Sequence, residues 1–234
     1  MKIKAFTLIE LVSVITIIGV LSGVMIYGIG DWKNEAYQEK AVSYINSVKN
    51  KIGGSLVAEW KMEGTETTSL YDSGRLAITG TTSGTLTKSS DCPEGDSCIY
   101  SSVANVAFSN IPKFNTVCFW IKPGATSVDI LEKTNDLKVY TTLGIVSFRI
   151  YYTDTEYTTV NYNGKSIDDD KWHSVCGSLN EDKNFVGIID GEVITTATVQ
   201  VGSFGRSSNM CLGCSANSLF YMDDLVLFED PLVR

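Results

Sequence analysis

Glu10 is the only charged residue in the apolar run from Phe6 to Ile29. A carboxylate inside a membrane-length helix costs roughly 2.5–3.5 kcal/mol at the bilayer centre, so it needs a partner. Cutting the chain after Ala5 would supply one, because Phe6 would gain an α-amino group one helical turn from Glu10. An ion pair in apolar surroundings adds little stability but fixes register. Ala5 and Phe6 are therefore the candidate processing residues, and Phe6 and Glu10 the candidate assembly residues. Asp72, Asp223 and Asp224 form a second set. Hard cations take several oxygen ligands, so these aspartates are candidates for Ca2+. Asp72-Ser73-Gly74 also reads as a turn, whose aspartate would bond backbone instead. Asp168-Asp169-Asp170 reads as a solvated turn entering a strand, and His173 as packed structure.

The elements that must position these groups change character along the chain. The 234 residues carry a formal charge of −8, which argues against a nucleic-acid partner. The apolar run of about 24 residues would make a helix of roughly 36 Å, enough to cross a bilayer core. Lys2 and Lys4 precede it, so the N-terminus is expected on the cytoplasmic side and the rest outside. Cys92, Cys98, Cys118, Cys176, Cys211 and Cys214 suit an exported domain with disulfides. Several pairings are open. The preferred set is Cys92–Cys98 around a turn-rich loop, Cys118–Cys176 between two strands, and Cys211–Cys214, which is tight. One C-x-x-C pair and one histidine do not make a zinc site.

After the apolar run, Tyr37, Ala41, Tyr44 or Ile45, Val48 and Ile52 recur at helical spacing, and Gly53-Gly54 ends the pattern. The sequence thus predicts one helix from Phe6 to about Ile52. It would be apolar all round at first and amphipathic later. Gly19 and Gly23 form a small-xxx-small pair that suits close helix packing or local unwinding. From Ser55 onward, short β-rich stretches alternate with turn residues. The predicted strands are Leu56–Met62, Leu76–Thr79, Cys98–Tyr100, Val106–Phe108, Thr116–Ile121, Val128–Lys133, Leu137–Thr142, Ile145–Tyr152, Glu156–Tyr162, His173–Leu179, Phe185–Ile189, Glu192–Thr198 and Phe220–Phe228. Asn163-Gly164 and Asp190-Gly191 signal hairpins.

Phe6-Thr7-Leu8-Ile9-Glu10-Leu11-Val12, with the apolar run behind it, resembles the N-terminus of type IV pilins, which type II secretion pseudopilins share. That family usually has Gly where this chain has Ala5. Many members also have a proline in the helix, which this chain lacks. The resemblance implies cleavage after Ala5 by a prepilin peptidase, N-methylation of Phe6, and extraction from the cytoplasmic membrane into a surface filament. Its partners would be copies of itself and the pilus assembly machinery.

A set of strings resembles, in order, the laminin-G-like and concanavalin A-like jelly rolls over residues 54 to 234. They are Leu56-Val57-Ala58-Glu59-Trp60 followed by Tyr71-Asp72-Ser73-Gly74, then Val117-Cys118-Phe119-Trp120-Ile121-Lys122-Pro123, Asp170-Lys171-Trp172-His173-Ser174-Val175, Val186-Gly187-Ile188-Ile189-Asp190-Gly191-Glu192 and Tyr221-Met222-Asp223-Asp224-Leu225-Val226-Leu227-Phe228. This resemblance implies two packed antiparallel sheets, with Leu56–Met62 and Phe220–Phe228 as neighbours beside the helix. It also implies Ca2+ near the aspartates and a glycan as a partner. Glycosidases of this fold need paired carboxylates, and their Glu-x-Asp-x-x-Glu motif is missing here, so catalysis is not expected. The expected class is α+β: a leader over 1–5, a membrane and filament-core helix over 6–52, and an all-β jelly-roll ectodomain over 53–234. The expected function is a structural pilin. The alternatives are a glycan-binding tip pilin and a pseudopilin.

Overall fold

The computed structural model describes residues 8–63, 68–93, 95, 97–101, 105–162, 166–214 and 219–232, with the side chains of 23–41 and 101 excepted. Two compact units divide the chain, Met1–Glu39 and Lys40–Arg234. Helix α1 is Leu8–Ile52, and its last segment belongs with the β-rich unit. The expected helix starts at Phe6, and that start lies outside the described residues, as do the leader and cleavage site at Ala5. Among the described residues no helix is long and apolar enough to cross a membrane. The span expected over Phe6–Ile29 is therefore not found there.

The second unit is a mostly-β sandwich. In chain order its strands are β1 (Leu56–Trp60), β2 (Ser69–Leu70), β3 (Gly80–Thr82), β4 (Thr87–Ser89), β5 (Cys98–Ser101), β6 (Val106–Phe108), β7 (Thr116–Pro123) and β8 (Val128–Lys133). They continue as β9 (Leu137–Thr142), β10 (Ile145–Tyr151), β11 (Tyr157–Asn161), β12 (His173–Leu179), β13 (Asn184–Ile189), β14 (Glu192–Thr198), β15 (Met210–Leu212) and β16 (Phe220–Phe228). One sheet runs β14-β13-β12-β7-β16-β5-β4, with β1 also on β16; the other runs β11-β10-β9-β8-β15-β6-β3-β2. Every described pairing is antiparallel.

Alternation along each strand builds the core. Val117, Phe119 and Ile121 of β7 and Val175 and Leu179 of β12 point between the sheets, where they meet Val139 of β9 and Val146, Phe148 and Ile150 of β10. The rings of Phe148 and Phe185 sit 5.0 Å apart across that interior. On the reverse of β7, Cys118 and Trp120 are also buried, because the end of α1 covers that face. Ile45, Val48 and Ile52 are the buried stripe of α1, packed over Cys118–Cys176, Trp120, Val186, Ile188, Val226 and Phe228. The amphipathic half of the expected helix is therefore present from Val42 onward. Tyr37 and Ala41 of the expected stripe have side chains outside the description.

Leu56–Trp60 does pair with Phe220–Phe228, as the jelly-roll resemblance implies. Strand β16 bonds β5 through Phe220–Met222 and then β1 through Leu225–Phe228. The hand-over takes place at a bulge over Asp223 and Asp224, where Asp224 has φ 48°. Asp190-Gly191 closes the β13–β14 hairpin with φ of 51° and 75°, both positive, as a tight turn of that kind needs. Asn163-Gly164 lies outside the described residues.

One predicted strand is corrected. Leu76–Thr79 is not a strand. The Ile78 N–H donates to Asp72 Oδ2 at 3.1 Å, and the Ile78 carbonyl accepts from Trp60 Nε1 at 2.8 Å. Side chains thus satisfy the backbone groups that a ladder would have used, and Ala77 has φ 51°. Strands β2, β3, β4 and β15 were not expected; each is two or three residues long, too short for alternation to show.

Candidate functional site

The two outer faces of the sandwich differ. The end of α1 covers the face that carries Trp120 and Val226. The outer face of β9, β10 and β11 carries polar and aromatic side chains. Val139 and Thr141 turn inward from β9, so Lys138, Tyr140 and Thr142 turn outward. Phe148 and Ile150 turn inward from β10, leaving Ser147, Arg149 and Tyr151 on the outer face, where Ser147 is itself buried. Val160 of β11 is buried, and Tyr157, Thr159 and Asn161 face out.

Register lines these residues up. Tyr140, Ser147 and Asn161 form one row across the three strands, and Lys138, Arg149 and Thr159 form the next. A groove of about 400 Å³ runs over them, lined by Tyr140, Thr142, Ser147, Thr159, Asn161 and Tyr162 among others, with Leu143 and Ile145 at one end. Beside it, Arg149 reaches both diagonal neighbours. Its guanidinium carbon lies 4.3 Å from the Tyr157 ring centre and 5.3 Å from that of Tyr140. Tyr151 meets Tyr157 edge-on at 5.4 Å. Burial acts to lower the Arg149 pKa, but hydrogen bonding to Tyr151 and Tyr140 outweighs it and raises the value. The Arg149 Nε–H is buried with no acceptor among the described residues. Lys138, by contrast, is neutralised by Asp129 at 2.9 Å and Glu132 at 3.6 Å. Rings that can stack on apolar faces, amide and hydroxyl groups that can bond a polyol, and one cation make a surface for binding.

Residues 95–234 match the family model described as the concanavalin A-like lectin/glucanases superfamily (Laminin_G_3). The chain belongs to this superfamily. No curated protein matches it in sequence. Among solved structures, this concanavalin A-like chain is similar to the binding domain of botulinum neurotoxin DC in complex with rat synaptotagmin II. That match has 16% identity and a TM-score of 0.63, covering 78% of this chain and 50% of that one. A receptor binding domain matches with 16% identity and a TM-score of 0.62, over 78% and 49%. Botulinum neurotoxin type C, whose cell entry is dependent upon interaction with two ganglioside molecules, matches with 16% identity and a TM-score of 0.61, over 78% and 50%. This chain thus spans about half the length of those it matches, and the likeness is one of fold.

In this concanavalin A-like frame, the candidate calcium residues have other work. Asp72 Oδ1 accepts the N–H groups of Glu59 at 2.8 Å and Gly74 at 2.6 Å, while Oδ2 accepts that of Ile78, so its carboxylate organises the loop after β1. Asp224 pairs with Lys49 of α1 at 2.5 Å, and Lys49 also reaches Glu59 at 3.1 Å. Burial acts to lower the Lys49 pKa, but Asp224 and Glu59 together raise it above the ordinary value. Asp223 Oδ1 accepts the Asp224 N–H at 2.9 Å within the bulge. Among the described residues no group of three or more acidic, histidine or cysteine side chains could hold a metal ion. The geometry therefore does not assemble the Ca2+ site expected from Asp72, Asp223 and Asp224.

The cysteines pair as Cys92–Cys98, Cys118–Cys176 and Cys211–Cys214. Cys118 and Cys176 face each other across β7 and β12. Glu10 lies on the exposed surface of α1, and its carbonyl accepts the Ser13 hydroxyl at 2.9 Å. Phe6 is outside the described residues, so its pairing with Glu10 is not located. Nothing lies within 4 Å of a Cβ built on Gly19; the surroundings of Gly23 are outside the description.

The aspartate turn is more engaged than a solvated one. His173 is 6% exposed; its Nδ1 lies 2.8 Å from Asp190 and its Nε2 2.9 Å from Asp169. Burial works to lower the His173 pKa, but the two carboxylates outweigh it and raise the value. Asp170 pairs with Lys122 at 3.0 Å. Sequence reasoning also missed Lys133, which is 0% exposed. Its ammonium donates to the Phe204 carbonyl at 2.7 Å and pairs with Asp136 at 3.3 Å. Burial pushes its pKa down, against the pull of Asp136. The bond to Phe204, with the Arg206 and Ser207 N–H groups on Asp136, ties the loop before β15 to the β8–β9 turn, a contact only the fold reveals.

Proposed function

We propose that this chain is a filament subunit of the type IV pilin kind, whose jelly roll is carried on the filament surface and binds carbohydrate there. The observation that supports the first part is the surface of α1 over residues 8–22. Every side chain there is exposed, the large apolar ones between 48% (Val14) and 82% (Leu8). A helix apolar all round belongs in lipid or among partner helices. Two of its hydroxyls are satisfied within the helix, Ser13 by the Glu10 carbonyl and Thr16 by that of Val12 at 2.8 Å. That is what an apolar environment demands of them. Burying each large aliphatic side chain would contribute about 1.5–3 kcal/mol before association costs.

In this reading a prepilin peptidase cuts after Ala5, Phe6 is N-methylated, and its ammonium meets Glu10 of a neighbouring copy. The subunit waits in the cytoplasmic membrane and then joins the fibre outside the cell. The second part of the reading, binding rather than catalysis, is supported by the open polar-aromatic groove on β9, β10 and β11. The test is assembly. Glu10→Leu and Glu10→Ala should abolish sheared surface fibres while leaving the subunit in the membrane fraction. Normal fibre yield from either variant would contradict the reading.

A further inference from the structure

Arg149 has no carboxylate partner among the described residues of this acidic protein. The chain carries −8 overall, and its nearest cationic neighbour on this face, Lys138, already has two carboxylates. Among the described residues no carboxylate pairs with Arg149, whose neighbours are the uncharged Tyr140, Tyr151 and Tyr157. A buried N–H without an acceptor is destabilising, and hydrogen bonds to charged groups are the stronger kind. Arg149 lies two residues from Ser147 on the same strand face, and it is the cross-strand partner of Thr159. Both of those residues line the groove. The cation therefore stands at the edge of a trough floored by a tyrosine, two hydroxyls and an amide.

We infer that the groove over β9, β10 and β11 binds a carboxylated saccharide, with a sugar ring against Tyr140, its hydroxyls on Ser147, Thr159 and Asn161, and its carboxylate on Arg149. This rests on the carbohydrate reading above and adds the location and the charge of the ligand. A neutral sugar would leave the guanidinium charge without an anion. An acidic sugar places its carboxylate at the edge of the groove beside it. Cation and carboxylate attract across a partly desolvated surface, so binding weakens as salt rises. Lysine in place of Arg149 would keep the charge and lose the planar contact with the two rings.

The test uses the full chain in detergent micelles and calorimetric titration with four probes. Tetragalacturonate and 3′-sialyllactose carry carboxylates; maltotetraose and lactose do not. At least one acidic probe should bind ten-fold or more tightly than its neutral counterpart, with affinity falling between 50 and 300 mM salt. Arg149→Gln and Tyr140→Ala should each weaken it about ten-fold. Asn161→Ala, at an exposed position, should weaken it about three-fold and serves if either of the others melts early. Glu181→Gln, far from this face in the fold, should leave it unchanged. Equal binding of neutral and acidic probes, or acidic binding that survives Arg149→Gln and Asn161→Ala, would overturn this inference and leave the carbohydrate reading standing. No binding of any probe would overturn both.

Discussion

The two outer faces of the sandwich have the same backbone plan and opposite fates. Over β7, β12, β13 and β16 the outward residues are Cys118, Trp120, Cys176, Val186, Ile188, Val226 and Phe228, and the end of α1 buries them. Over β9, β10 and β11 the outward residues are tyrosine, serine, threonine, asparagine and arginine, and no described element covers the groove they form. The first face is apolar because its partner is part of the same chain and stays put. The second is amphipathic, as suits a surface that must be wet when empty and still hold a ligand.

That contrast can be broken most severely at Val226, which is 0% exposed under the helix. Val226→Asp would bury an unpaired charge there and should cost upwards of about 3 kcal/mol in a denaturant titration. A loss below about 1 kcal/mol would mean that the helix end is not firmly docked. Lys49→Ala comes next. It leaves Asp224, nearly buried, without its cation and should cost about 2 kcal/mol. Asp224→Asn made in the Lys49→Ala background should add little, and a fully additive loss would separate the two residues.

His173 sharpens the comparison, since it fastens the β7-side sheet to the aspartate turn. Its folded pKa is raised, so the protonated ring is the stabilising form. The contribution is complete below the unfolded value of about 6.5 and is lost as pH climbs through the higher folded value. The melting temperature of the native chain should therefore exceed that of His173→Gln most near pH 5.5, and the gap should narrow toward pH 9. A gap that widened with pH would reverse the assignment. The smallest effect is expected on the open face. Tyr140→Ala should change stability by no more than about 0.5–1 kcal/mol, as surface substitutions do.

Much of this was legible in the residue order. Strict alternation over Thr116–Ile121 placed Val117, Phe119 and Ile121 on one side and Cys118 and Trp120 on the other, and the fold keeps that division. The stripe of Ile45, Val48 and Ile52 was visible for the same reason, a periodicity imposed by burial. Leu76–Thr79 misled because apolar content cannot reveal that Asp72 and Trp60 take over its backbone bonds. The cradle of Arg149 was hidden because it depends on register between three strands, which places Tyr140 and Tyr157 on its two diagonals. His173 finds Asp190, seventeen positions on, only through the pairing of β12 with β13.

Assembly through the N-terminal helix is the claim on which the biological reading stands, and the mature N-terminus tests it most directly. Mass spectrometry of fibres sheared from cells should find chains that begin at an N-methylated Phe6. Chains that keep Met1 and remain in the membrane fraction as single copies would contradict the account.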